Sequence, residues 1–367
     1  MGTKNKILIS GYYGFDNSGD DAILRAIVND LDNNIENVEI TVLSKNPSYT
    51  EKVYKINAVN RFNIKAVIET IKSCDLFISG GGSLLQDVTS TRSLLYYISL
   101  MRMAKFFNKK VMVYANGVGP INGRMNRIWT RRILNKVDLI TLRDEDSRIF
   151  LEELKVDNEN IYVTADPVFT LNPTKPDKVI NILKKESIPE NKPLVGVSLR
   201  NWRDSDNLVV NMAKAIDHIV EKQNVNVILI PMHYPEDLEI SNKVLDKVNN
   251  NSTYVLSNKY SVEDIMGIIK KLEMIIAMRL HSLIYAASQG IPMVGIVYDP
   301  KIEGFLKSVD MDYMCPAEGI EHQNLIEKID IVWSNREKLK KNLAKLDEHM
   351  KKEALKNTYM AKELLEK

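Results

Sequence analysis

Ile275-Ile276-Ala277-Met278-Arg279-Leu280-His281-Ser282 and then Met293-Val294-Gly295-Ile296-Val297-Tyr298-Asp299-Pro300-Lys301 are two strand–turn–helix units in succession. Residues 275–277 and 293–297 are short apolar runs bounded by polar turns, as strands buried on both faces of a parallel sheet are. In an open parallel sheet, ligands bind in the crevice outside the carboxyl ends of the strands. Arg279, His281 and Lys301 follow those two strands, so a guanidinium, an imidazole and an ammonium converge on one mouth. Two cations and a titratable ring suit a small, multiply anionic substrate such as a phosphorylated acid.

The same alternation of apolar runs and helical patterns extends along the whole chain, which argues for parallel sheets built of strand–helix units. In the first half, strand patterns fall at 7–10, 39–43, 76–79, 111–116, 139–141 and 161–164. Helical patterns fall at 20–31, 64–73, 91–107, 125–136 and 144–154. Two prolines in Asn172-Pro173-Thr174-Lys175-Pro176 then interrupt any regular element. The rhythm restarts at 194–198, 227–230, 253–255, 274–277 and 293–297. The expected architecture is α/β: two Rossmann-like domains, residues 1–172 and 173–322, with parallel sheets facing a central cleft. Leu339, Leu343, Leu346 and Met350 recur at helical spacing, so residues 323–367 read as a helical segment crossing back to the first domain.

A chain of 367 residues, 44% hydrophobic and 27% charged, has the make-up of a soluble globular protein with room for two cores. A net charge of +2 offers no general attraction for nucleic acid. Cys74 and Cys315 are the only cysteines and no metal-type pairing of Cys with His occurs. No metal is expected, and a reduced, cytoplasmic setting is the simplest reading. Residues 1–6 are polar and lead straight into a strand, without the character of a signal peptide. No apolar run reaches the roughly 20 residues of a membrane span, so any membrane contact is peripheral. Two stretches have the character for it. Arg124-Met125-Asn126-Arg127-Ile128-Trp129-Thr130-Arg131-Arg132-Ile133 sets arginines beside an apolar stripe, and residues 101–110 place Phe106 and Phe107 among lysines. Ordinary surface helices show the same pattern, and both readings stay open.

Gly11-Tyr12-Tyr13-Gly14-Phe15-Asp16-Asn17-Ser18-Gly19-Asp20-Asp21 follows the first strand and opens the first helix. Its spacing is not the dinucleotide G-x-G-x-x-G, and three aspartates would repel a phosphate. Carboxylates and an amide at a strand end suit sugar hydroxyls, or removal of a hydroxyl proton; the plain alternative is that Asp20 caps the helix. Gly80-Gly81-Gly82-Ser83-Leu84-Leu85-Gln86-Asp87 comes directly after another strand. Three glycines suggest a ligand or a backbone lying close, with Gln86 and Asp87 placed to hydrogen-bond it; a tight structural turn is the alternative. Asn116-Gly117-Val118-Gly119-Pro120 ends a third strand in flexible residues. Arg143 and Arg200 each stand at a strand end, and arginine is the side chain best suited to bidentate contact with carboxylate or phosphate. Arg143 has a second use open to it, pairing with Asp144 or Asp146. Of the five histidines, His218, His322 and His349 are expected at the surface, and His233 sits at a strand end. His281 opens a helix, where the dipole and a neighbouring arginine favour the neutral ring and leave a proton shuttle near neutrality.

In order along the chain, these motifs resemble those of the polysaccharide pyruvyl transferase family. They are Gly-Tyr-Tyr-Gly-Phe-x-Asn-x-Gly-Asp from Gly11, the run from Gly80 to Asp87, Leu142-Arg143-Asp144-Glu145-x-Ser147, Ala165-Asp166-Pro167, Met278-Arg279-Leu280-His281 and Tyr298-Asp299-Pro300-Lys301. The resemblance implies a GT-B-like fold and transfer of the pyruvyl unit of phosphoenolpyruvate (PEP) onto a sugar as a cyclic ketal. It is strongest to the family's bacterial cell-wall enzymes. For those, the implied acceptor is N-acetylmannosamine in a lipid-diphosphate-linked disaccharide, a precursor of the secondary cell-wall polymer that anchors surface-layer proteins. Carried over by motif, the PEP residues are Arg143, His281 and Lys301, with Arg279 and Leu280 alongside and Arg200 from a shorter motif. The acceptor side is Tyr13, Asp16, Asn17, Asp20, Gly81, Gly82, Gln86 and Asn116. His281, Arg143 and Lys301 form the implied catalytic set, with Asp16 or Asp20 as base. PEP is then a co-substrate, and neither cofactor nor metal is implied. A lipid-linked acceptor also implies peripheral contact with the cytoplasmic face of a membrane. Asp21 stands where glutamate is expected, a conservative change. Two rivals share features of this reading: a GT-B glycosyltransferase using a nucleotide sugar, and a non-enzymatic two-lobed sugar-binding protein.

Overall fold

The computed structural model describes residues 4–203 and 205–366. It divides into two compact α/β units: one runs through Leu171 and includes the chain from Met350 onward, and the other is Asn172–His349.

The first unit begins β1 (Asn5–Tyr13), α1 (Ser18–Asn34), β2 (Val38–Ser44), α2 (Pro47–Tyr54), β3 (Asn57–Asn60) and α3 (Ile64–Ser73). It continues β4 (Leu76–Ser79), β5 (Gly82–Leu85), α4 (Thr91–Phe106), β6 (Lys110–Val118), α5 (Arg124–Leu134), β7 (Leu139–Leu142), α6 (Glu145–Glu153) and β8 (Ile161–Val163). Its strands form one parallel sheet in the order β3-β2-β1-β4-β6-β7-β8, with β5 pairing β6. Leu8, Phe77, Val111 and Val113 pack on one side against Val67, Ile71, Leu94, Met101 and Ile133 of α3, α4 and α5. Tyr114 points to the other side, where its hydroxyl meets Thr358 Oγ1 at 2.8 Å.

The second unit runs α7 (Pro176–Lys185), β9 (Leu194–Ser198), α8 (Ser205–Gln223), β10 (Asn226–Leu229), α9 (Glu236–Leu245), β11 (Thr253–Val255) and α10 (Val262–Lys270). It goes on β12 (Leu272–Ala277), α11 (Leu280–Ser288), β13 (Met293–Val297), α12 (Pro300–Ser308) and β14 (Met314–Pro316). Its parallel sheet has the order β11-β10-β9-β12-β13-β14. Each sheet therefore reverses its direction of growth once, between β1 and β4 in the first unit and between β9 and β12 in the second. Those reversals mark where ligands are bound in sheets of this kind.

α13 (His322–Glu366) is one continuous helix. The leucine stripe that suggested a crossing belongs elsewhere: Leu339 and Leu343 lie buried within the second unit's stretch of this helix. The portion in the first unit is held by small and polar residues instead. Ala354, Asn357, Thr358 and Ala361 are fully buried there, and Asn357 Oδ1 accepts from Thr164 Oγ1 at 2.9 Å. A hydrophobic period does not report contacts made by a buried amide and hydroxyl.

The short or weakly apolar elements β3, β5, β14 and α2 have no counterpart in the sequence reading. β3 is a half-exposed four-residue edge strand, Asn-Ala-Val-Asn, too polar to signal itself. Helix α1 starts at Ser18, and its cap is Asn17, whose side chain accepts from the Gly19 amide at 3.0 Å, so Asp20 is not the cap. His218 and His322 are half-buried rather than exposed, the first against Asp330 and the second against Asn211.

Candidate functional site

Arg200 follows β9, His281 follows β12, and Tyr298 and Lys301 follow β13. Those strands are consecutive neighbours in the sheet, so these side chains leave it at one edge, beside the reversal between β9 and β12. Arg200 Nη1 donates to the Tyr298 hydroxyl at 2.8 Å, spanning the end of β12. Its guanidinium carbon lies 4.6 Å from the Tyr298 ring centre and 5.7 Å from that of Trp202. Aromatic faces hold the guanidinium by its quadrupole without cancelling its charge. Among the described residues no carboxylate pairs with Arg200, and its Nε is buried without a hydrogen-bond partner. His281 is the second residue of α11, its ring centre 6.5 Å from that of Tyr285. Leu280 opens the same helix, and Lys301 lies in the first turn of α12, whose cap Asp299 accepts from the Lys301 amide at 3.0 Å. Two helix N-termini therefore rise from this edge, where partial positive charge favours an anion.

Arg279 is differently employed. Its Nε donates to Asp237 Oδ2 at 2.9 Å and its Nη2 to Oδ1 of the same carboxylate, which is wholly buried. Asp237 also accepts from the amides of Met232 and His233, so the pair fastens the turn after β10. The fork of Arg279 is occupied, which makes it a positioning residue for this edge. His233 Nδ1 lies 3.4 Å from Glu236.

In the first unit, Arg143 is buried at the end of β7. Its Nη1 reaches Asp166 at 3.0 Å, its Nη2 reaches Ser83 Oγ at 3.1 Å, and its Nε lies 3.5 Å from Asp144. Burial alone disfavours the guanidinium charge, but the Asp166 and Asp144 carboxylates outweigh it and raise its pKa. Of the two partners the sequence offered, Asp144 is used, while the main one is Asp166.

The glycine run is a break between two strand segments rather than a phosphate-type loop. A Cβ on Gly80 would fall 2.2 Å from the Tyr13 hydroxyl, and one on Gly81 would fall 2.8 Å from Ile23 Cγ2. Packing accounts for both glycines. Gly82 faces Asp20, with Oδ1 3.5 Å from where its Cβ would be. Asn116 is fully buried and donates to the carbonyls of Ser79, Gly80 and Tyr114, locking the break to β6. Gln86 closes its own loop on Thr89. Tyr13 is interior, so its hydroxyl stays inside the fold, and burial followed by the nearby Asp20 charge raises its pKa. Asp16 is exposed, with left-handed backbone (φ 59°), on the turn before the Asn17 cap.

Arg61 is the residue the sequence reading missed. It follows β3 and is buried at 8% exposure, with Nη1 donating to the Gly11 carbonyl at 3.0 Å. Its guanidinium carbon lies 4.5 Å from the Tyr96 ring centre, 5.3 Å from Phe15 and 5.7 Å from Tyr97. Among the described residues it has no carboxylate partner. A strand-end arginine was the signal used for Arg143 and Arg200, and it would have served here had β3 been legible.

Two parallel-sheet α/β units with ligand edges at their reversals define the GT-B class. A glycosyltransferase from Rickettsia africae matches with a TM-score of 0.67 at 15% identity, over 99% of both chains. HepE of Anabaena, solved in complex with UDP-glucose, matches with a TM-score of 0.65 at 12% identity, over 98% of both. At such identities the likeness speaks for the fold alone. The family described as polysaccharide pyruvyl transferase matches residues 17–300, and this chain belongs to that family. Amylovoran biosynthesis protein AmsJ of Erwinia amylovora is 21% identical, covering 93% of this chain and 95% of that protein.

Proposed function

We propose that the protein transfers the pyruvyl unit of PEP onto a sugar diol as a cyclic ketal, as a cell-wall pyruvyltransferase of the CsaB kind. The acceptor in this reading is N-acetylmannosamine of a lipid-diphosphate-linked disaccharide, in the secondary cell-wall polymer that anchors surface-layer proteins. The observation that carries it is Arg200, His281 and Lys301 on neighbouring strand ends of a family member, with Arg200 uncompensated by any carboxylate among the described residues.

Arg200 and Lys301 receive the carboxylate and phosphate of PEP, helped by the N-termini of α11 and α12. They balance the charge that builds on the departing phosphate. His281 delivers a proton to the methylene carbon, which creates oxocarbenium character at C2. One sugar hydroxyl then bonds to C2, the C2–phosphate bond breaks, and the second hydroxyl closes the ring. Asp16 or Asp20 takes the proton of the first hydroxyl, and the proton of the second returns to His281, which restores the acid. Arg143 contributes to PEP by exchanging its longest contact, Asp144 at 3.5 Å, for a phosphate oxygen.

Incubation with PEP and a synthetic lipid-linked disaccharide is expected to release phosphate and add one pyruvate minus water to the acceptor by mass spectrometry. His281→Ala should abolish transfer while PEP still raises the melting temperature; unchanged turnover would remove His281 from its role. Release of UDP from a UDP-sugar, with no phosphate from PEP, would instead establish the nucleotide-sugar glycosyltransferase.

A further inference from the structure

Between Val88 and Val137 the chain has no aspartate or glutamate but ten lysines and arginines, in a protein whose net charge is only +2. Asp and Glu number 48 of 367 residues, so a segment of this length would hold about six or seven at the chain's average. The segment builds β6 and helices α4 and α5, and the two helices start at the carboxyl edge of the first sheet because each follows a parallel strand. Large apolar side chains project from loops and first helical turns at this same edge. Phe62 is 66% exposed and Ile64 71% after β3, Val88 is 63% exposed after β5, and Met125 is 51% exposed after β6.

The loops that carry them are fastened. Asp87 accepts from the amides of Asn122 and Gly123 and from Asn126 Nδ2 at 2.7–2.9 Å, which ties the Val88 loop to the start of α5. Those hydrogen bonds overcome the cost of burial and lower the Asp87 pKa. Tyr96 of α4 donates to the Arg61 carbonyl at 3.4 Å, which ties in the Phe62 loop. Exposed Lys65, Arg92 and Arg124 stand beside the apolar tips.

We infer that this edge of the first unit docks on an anionic lipid bilayer. Separate apolar tips of more than half exposure, with cations close by, fit insertion below a headgroup layer; Lys65, Arg92 and Arg124 supply the matching charge at this edge. Among the described residues no helix is long and apolar enough to cross a membrane, so the contact is peripheral. The inference moves the contact away from Phe106, the last residue of α4, to the edge that carries the Asp16 turn. It uses no part of the pyruvyl reading, and its test does not measure turnover.

The test is co-sedimentation of the full chain with vesicles of phosphatidylcholine, either pure or mixed with phosphatidylglycerol. Binding to the mixed vesicles at low salt, release as salt rises, and little binding to pure phosphatidylcholine are expected. Each basic residue near such a surface is worth about fivefold in binding, so Lys65→Ser, Arg92→Ser and Arg124→Ser together should weaken it on the order of a hundredfold. The combined Phe62→Ser, Ile64→Ser, Val88→Ser and Met125→Ser variant should lose binding while keeping the wild-type circular dichroism and melting temperature. If that variant does not fold, the basic triple variant decides the matter alone. Phe106→Ser should bind as wild type. The proposal fails if mixed vesicles do not retain the wild type, if only Phe106→Ser abolishes retention, or if the apolar variant merely turns a dimer into a monomer.

Discussion

Two strand-end arginines, Arg143 in the first unit and Arg200 in the second, look alike in sequence and are opposites in the structure. Arg143 is enclosed by Asp166, Asp144 and Ser83. Arg200 touches a phenol hydroxyl and two aromatic faces. The first sits in an ion pair that organises β7 against its neighbours; the second has no carboxylate beside it among the described residues. How far carboxylates compensate a strand-end arginine is decided by packing, and its place after a strand says nothing about that.

Breaking the enclosed pair should have the largest effect. Arg143→Ala leaves Asp166 buried and uncompensated, which typically costs about 3–5 kcal/mol. Urea unfolding should show that loss, and a loss below about 1 kcal/mol would mean that water already reaches the site. The next effect tests compensation with a carboxylate that has no cation partner among the described residues. Asp30 is pushed up to about 6 by burial, with the Thr170 hydrogen bond opposing it. A carboxyl raised in the folded state adds stability at acid pH that is lost as pH rises through about 6. A shift of about 2 units is worth about 3 kcal/mol. Asp30→Asn should therefore stabilise the protein by up to about 3 kcal/mol at pH 8, and its melting curve should merge with wild type below pH 4. Parallel curves across that range would contradict the assignment.

Removing the open arginine is expected to act on ligand rather than on fold. Arg200→Ala should leave the melting temperature of the free protein nearly unchanged and weaken PEP binding by the worth of a charge-assisted hydrogen bond, about 1.5–3 kcal/mol, or roughly 10–100-fold. Calorimetric titration with PEP reads this directly. Tyr298→Phe should have the smallest effect: it removes only the hydroxyl that orients Arg200, about 1 kcal/mol, and should weaken PEP binding about fivefold. A Tyr298→Phe effect as large as that of Arg200→Ala would give the phenol a role of its own in binding.

Much of the fold was legible in the chain. Residues 194–198 and 293–297 coincide with β9 and β13, because a strand buried on both faces must be an uninterrupted apolar run. Helix α3 was read at its observed limits, 64–73. Edge strand β3 escaped because Asn-Ala-Val-Asn approaches the composition of a loop, and β14 because three residues ending in proline offer no run to read. With β3 went Arg61, the aromatic-enclosed cation of the first unit.

By itself the sequence determined where the longer buried strands lie and which cations follow them, because both are local properties of composition and order. Tertiary structure alone decided which of those cations are met by carboxylates. Arg143 meets Asp166 from 23 residues away, and Arg279 meets Asp237 from 42. The physical reason is that a buried charge is set by the groups packed around it, and parallel-strand topology brings those groups from distant parts of the chain.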